Sequence, residues 1–109
     1  MKTIYKYTIT NTPEVLSGVN LDAKIYVPAD SDSKILCCKV QHDTDVCVWV
    51  ELEKSAWDDA KVPIQRITIK LFGTGWNMDY LKDKKYEYLD SIYIGKDGLY
   101  VYHVYAIYE

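Results

Sequence analysis

The sequence predicts an all-β domain, an antiparallel β-sandwich or open barrel with at most one short helix, and three observations carry that expectation. Apolar residues recur at every second position through most of the chain. Short clusters of Gly, Pro, Ser and Asp punctuate these runs, and no stretch between them has the length of a helical crossover joining parallel strands. With 109 residues, the chain is the size of a single domain, residues 1–109.

The elements follow in order. Lys2 to Thr10 alternates, with Thr3, Tyr5, Tyr7 and Ile9 on one face. A second strand, Ala23 to Val27, is stopped by Pro28, and Ala29-Asp30-Ser31-Asp32-Ser33 is a turn cluster. Lys34 to Gln41 and Val46 to Glu53 form a hairpin joined by His42-Asp43-Thr44-Asp45. Its second arm places Val46, Val48, Val50 and Leu52 on a packed face. Lys54 to Val62 loses the period and reads as a loop with room for one helical turn. Pro63 precedes the strand Gln65 to Phe72, whose Ile67, Ile69 and Leu71 point to the core and which ends at Gly73-Thr74-Gly75. Trp76 to Lys85 is polar, aromatic and irregular. The strands Tyr86 to Ile94 and Leu99 to Tyr108 close a second hairpin around Gly95-Lys96-Asp97-Gly98, whose glycines supply positive φ. In the closing strand, Tyr100, Tyr102, Val104, Ala106 and Tyr108 share one face and Leu99, Val101, His103, Tyr105 and Ile107 the other. Both faces are largely apolar, which predicts a strand covered on both sides. Both ends of the chain are expected to belong to the sheets.

Composition narrows the function classes. Net charge is −3 and the pI is near 5.3, which argues against general DNA binding, since that affinity comes from Lys and Arg neutralising phosphates. A local basic pocket for one small anion remains open. The short cluster Lys82, Lys84 and Lys85 reads as a solvated loop. No apolar run approaches the roughly twenty residues that span a bilayer, and the first residues lack a signal-peptide core, so a cytosolic protein without a membrane partner is expected. Cys37, Cys38 and Cys47 have no metal-ligand spacing and read as reduced core residues, so neither a metal nor a cofactor is expected. Eleven Tyr and three Trp against one Phe make the aromatics almost all of the kind with a polar handle, suited to half-buried sheet faces and interfaces.

The strand exit Gly73-Thr74-Gly75-Trp76 is the most distinctive local feature. Two glycines one residue apart let the backbone turn sharply and bring N–H groups to an anion, with the Thr74 hydroxyl alongside. The spacing is neither that of a P-loop nor that of a dinucleotide fingerprint, so it is a weak phosphate signal, and a plain tight strand exit is the simpler explanation. Arg66 and Lys70 stand on the strand leading to this exit, and Tyr102 and His103 on the closing strand. Gly73, Thr74, Gly75, Trp76, Arg66, Lys70, Tyr102 and His103 therefore form the candidate ligand-binding set, for a ligand whose phosphates meet N–H and cationic groups and whose base stacks on Tyr or Trp. Homo-oligomers holding such a ligand between subunits would account for the surplus of apolar sheet surface. No catalytic residue is assigned: His103 lies in an apolar strand, His42 lies in a turn, and Asp43, Asp45, Asp58 and Asp59 sit in loops where solvation explains them.

The chain resembles a family of small uncharacterised proteins found mostly in bacteriophage genomes. The likeness rests on the opening Met1-Lys2-Thr3-Ile4-Tyr5-Lys6-Tyr7, on Lys34-Ile35-Leu36 leading to Val40-Gln41 and Cys47-Val48-Trp49, on Gly73-Thr74-Gly75, and on Val101-Tyr102-His103-Val104. Where that family usually has His after Gly-Thr-Gly, this chain has Trp76, so a role for that His does not transfer. The chain is also longer than the family pattern around Lys54 to Pro63 and Asn77 to Lys85. The resemblance implies a phage accessory protein of unassigned activity acting in the host cytoplasm. By analogy with other small phage proteins, the expectation is that it counters host defence by sequestering a nucleotide-derived signalling molecule. The alternatives are an inhibitor that covers a host defence or replication protein, and a phage structural or assembly component.

Overall fold

A computed structural model describes residues 1–29 and 33–108. The described elements are β1 (Lys2–Asn11), α1 (Thr12–Leu16), β2 (Asp22–Pro28), β3 (Lys34–Gln41), β4 (Asp45–Glu53), α2 (Lys54–Asp58), β5 (Ile64–Gly73), β6 (Lys85–Ile94) and β7 (Tyr100–Tyr108). They form a three-stranded sheet in the order β1-β4-β3 and a four-stranded sheet in the order β2-β5-β7-β6, with every pairing antiparallel. The expected sandwich is therefore present, and both β1 and β7 are sheet strands. Of the expected turn at Ala29 to Ser33, Asp30, Ser31 and Asp32 lie outside the described residues.

The alternation read in β4 sets the core. Val46, Val48, Val50 and Leu52 are fully buried and meet Ile67, Ile69 and Leu71 of β5 and Val104 and Ala106 of β7 in one apolar cluster. Tyr5, Tyr7 and Ile9 of β1 pack against the same cluster, and the Tyr7 hydroxyl donates to the Tyr26 carbonyl at 2.8 Å, bridging the two sheets. At the β3–β4 turn, His42 and Asp43 both have positive φ and the Thr44 N–H donates to the Gln41 carbonyl, so His42 is a residue of a tight hairpin turn of the primed kind.

One short helix more than expected is present. α2 falls where a helical turn was anticipated, whereas α1 is new. Asn11 caps it by accepting from the Glu14 N–H at 3.0 Å, Pro13 lies in its first turn, and Val15 is buried in the main core. Five residues are too few for a helical period to appear, so the cap carries the signal.

The outer face of the four-stranded sheet holds a second, smaller cluster of Phe72, Ile107 and Leu81, with Met78 and Tyr105 against it. Leu81 belongs to a 3-10 turn, Asp79–Leu81, so the irregular segment after β5 folds back over β5 and β7. That covers part of the second face of β7, as its apolar pattern predicted.

Burial, and then the Glu87 carboxylate to which its hydroxyl donates at 3.0 Å, push the Tyr108 phenol up to about 12 from an ordinary 10.0. The unfolded chain releases that proton near pH 10.0 and the folded chain does not, so this contribution to stability is intact below pH 10.0 and lost as pH rises toward 12. Denaturation midpoints measured across this alkaline range should fall with pH, and Tyr108→Phe should flatten the decline.

Candidate functional site

Gly73, Thr74, Gly75 and Trp76 form a four-residue turn at the end of β5. The Trp76 N–H donates to the Gly73 carbonyl at 3.1 Å and Gly75 has φ +85°, the pattern of a turn with a left-handed third residue. This is the tight-exit geometry. It returns the Trp76 ring over Gly73, where a Cβ would lie 2.5 Å from Trp76 Cε2. The ring then stands edge-on to Tyr102, with centroids 5.8 Å apart and an interplanar angle of 89°. Gly73 is thus needed for close approach and Gly75 for its backbone angle.

Gly73, Thr74, Trp76, Leu99, Tyr100, Val101 and Tyr102 line an open cleft of about 280 Å³ at this exit. Trp76 and Tyr100 are each about half exposed and Leu99 is 73% exposed, so the mouth is apolar and aromatic. Among the described residues no charged side chain lines it.

On the opposite face of β7, His103 is held at both ring nitrogens. Thr74 Oγ1 lies 2.9 Å from Nε2 and Ser91 Oγ 2.9 Å from Nδ1, with the Tyr88 hydroxyl 2.7 Å from Ser91 Oγ. A chain of four polar side chains therefore ties the turn to β7 and β6. Ser91 is within reach of a base, but the group at the far nitrogen is a hydroxyl, whereas a nucleophile–His pair is driven by a carboxylate that stabilises the imidazolium. The arrangement orients the ring and pins the strand exit.

The structure brings six of the eight candidate residues together: Gly73, Thr74, Gly75, Trp76, Tyr102 and His103. The last two lie on opposite faces of β7, so Tyr102 lines the cleft and His103 braces its wall through Thr74. Arg66 and Lys70 do not converge with them. Arg66 pairs with Tyr26 seven residues upstream of Gly73, about 23 Å away at about 3.3 Å per strand residue. Lys70 turns to the outer face, where its ammonium lies 5.0 Å from the Tyr80 ring centroid, 5.6 Å from that of Phe72 and 4.0 Å from Asp22 Oδ2. The expectation of phosphates held by these two cations beside the exit is corrected accordingly. Sequence reading also missed Tyr100, Ser91 and Tyr88. Ser91 was within reach, because it faces His103 three positions out from the closing pair Ile94 and Tyr100 of the second hairpin.

The cysteines are free thiols. Cys38 is buried in the core and its pKa is pushed up to about 12, chiefly by that burial, which leaves it a neutral, unreactive thiol. Among the described residues no group of three or more His, Cys, Asp or Glu could hold a metal ion, and no helix is long and apolar enough to cross a membrane.

Fold and geometry together define a small all-β sandwich protein with an aromatic-walled cleft at one strand exit. A family described as a domain of unknown function (DUF7352) matches residues 1–109, and the chain belongs to that family. No curated protein and no solved structure matches it.

The two glycines should respond differently to substitution. Gly73→Ala should displace the Trp76 ring, lowering the near-UV circular dichroism while the far-UV spectrum persists. Gly75→Ala should cost about 1–2 kcal/mol in urea denaturation, the strain of a left-handed backbone carrying a Cβ.

Proposed function

We propose that this is a non-catalytic binding protein whose strand-exit cleft takes a planar ring, the base of a nucleotide-derived signalling molecule. The observation that carries the reading is the cleft between Trp76, Tyr100 and Tyr102, open to solvent and free of charge in its lining. Such walls favour a flat, weakly polar group by stacking and leave charged parts of the ligand outside. The Thr74 hydroxyl and the backbone of the turn supply the polar contacts. His103, with both nitrogens engaged by hydroxyls, supports a structural rather than an acid–base role.

A homo-oligomer fits the same site. Leu99, Tyr100 and Trp76 leave an apolar rim around the mouth, and a second copy laid against it would close the cleft over the ligand. In this reading the protein is a bacteriophage accessory factor that acts in the host cytoplasm and blunts defence by sequestering the messenger. That biological setting rests on the resemblance of its motifs to phage proteins.

A second reading, an inhibitor docked on a host protein, is favoured by the outer face of the three-stranded sheet. There a bulge between Ile35 and Cys37 sets Leu36 and Cys37 together beside Trp49 and Ile4, in a shallow apolar depression. Recovery of one stoichiometric host protein, lost on Leu36→Asp, would support this reading over sequestration.

Calorimetry against cyclic dinucleotides and cyclic ADP-ribose isomers tests the first reading. Binding is expected for at least one of them, and Trp76→Ala or Tyr100→Ala should each remove about 1–3 kcal/mol, the range for a lost ring stack. Absence of heat with all of them at high micromolar protein overturns it.

A further inference from the structure

The outer face of the four-stranded sheet, which braces the cleft through His103, also has a chemistry of its own. A bulge between Tyr88 and Asp90 shifts the register of β6, so that Ser91 and Tyr93 face outward on one side of it and Tyr86 and Tyr88 on the other. Without that extra residue, Tyr86 and Tyr88 would turn to the core. Both rings instead stand edge-on to Tyr105 of β7, at 5.9 and 5.6 Å, and each keeps half of its surface in solvent. Tyr93 is 64% exposed. The outward positions of β6 and β7 thus carry Tyr, Ser, His, Val and Ile, with no acid among them.

Cations stand beside this aromatic surface. Tyr80, on the segment crossing the sheet, has the Lys70 ammonium 5.0 Å and the Lys84 ammonium 4.7 Å from its ring centroid. Lys70 lies directly across from Tyr105 in the β5–β7 ladder, and Tyr105 across from Tyr88 in the next. The row Tyr88–Tyr105–Lys70 therefore runs from aromatic to cationic over two strand spacings, about 10 Å. Lys24 and Arg66 follow at outward positions of β2 and β5, and among the described residues of these two strands Asp22, beside Lys70, is the acid that faces outward.

We infer that this face is a docking platform for a short single strand of nucleic acid, with bases on Tyr86 and Tyr88 and phosphates toward Lys70 and Lys84. Charge complementarity and ring placement select that occupant: exposed rings two residues apart on one strand accept successive bases of any sequence, while ammonium groups alongside meet the backbone. A net charge of −3 removes long-range attraction to duplex DNA, but a short single strand needs only local cations. Tyr88 ends the run of side chains that braces the cleft wall, whereas Tyr86 and Lys84 lie outside that run and outside the cleft lining, so variants at Tyr86 and Lys84 separate this test from the messenger test.

Fluorescence anisotropy of labelled oligouridine and oligothymidine, at low and at high salt, reads the interaction. Binding of either is expected, weakening as salt rises. Tyr86→Ala with Tyr88→Ala should weaken it about tenfold or more, on the scale of lost base stacking. Lys84→Gln, an exposed change that touches no core residue, should weaken it and flatten the salt dependence, whereas Trp76→Ala should leave it unchanged. Thermal melts of each variant establish that the fold persists. Absence of an anisotropy change at high micromolar protein overturns the proposal. So does equal binding by wild type and the Lys84 variant, or equal displacement of the probe by an acidic polypeptide, which would make the face a protein-docking surface.

Discussion

The molecule depends on one constraint: β4 must keep Val46, Val48, Val50 and Leu52 dry, and it can do so in only one register. It is the central strand of its sheet, so β1 and β3 are both positioned by it. A slip of one residue on either side would turn an apolar row into water. Once β4 is fixed, Tyr5, Tyr7 and Ile9 on one flank and Ile35, Cys38 and Val40 on the other must face the second sheet. That sheet answers with Ile67, Ile69 and Leu71 from β5 and Val104 and Ala106 from β7. The regular ladders in the middle leave little freedom for chemistry, so distinctive geometry collects where ladders end or miscount.

The strand exit after β5 is one such place. Gly73 is the last residue of β5 and the partner of Tyr102, and the absence of a side chain there admits the returning indole. Polar side chains on the other face of β7 then hold the turn from beneath. Thr74, His103, Ser91 and Tyr88 link three consecutive pieces of the fold, so the cleft wall is anchored to the hairpin as well as to its own turn. A cleft braced in this way has its wall already in place, so a group entering it would meet little ordering cost.

Most of the fold was legible because alternation is a direct imprint of a sheet with one dry face. β3 and the two hairpin connections follow from that signal and from the turn residues that interrupt it. What escaped has physical causes. α1 is too short for a period, although Asn11, Pro13 and Glu14 spelled out its cap. The grouping of Arg66 and Lys70 with the exit failed because sequence proximity along an extended strand is distance in space, and because alternation sends Lys70 to the face away from the core. Tyr86 and Tyr88 were hidden by the bulge at Leu89. A single unpaired residue inverts every side chain beyond it, and nothing in the local composition announces one.

The two bulges that reshape outer surfaces, in β3 and in β6, occupy strands at one margin of each sheet, and those margins lie together. Lys39 and Asp90 join them at 3.0 Å across the seam between the sheets. Unpaired strand margins are where foreign chains add and fibrils begin, and flatness is what such growth requires. Here both margins are kinked, charged and turned toward each other, so neither presents a straight ladder to copy. The irregularities that place Leu36 and Tyr88 in solvent thereby also guard a strongly β-prone, tyrosine-rich sequence against amyloid-like stacking along this flank.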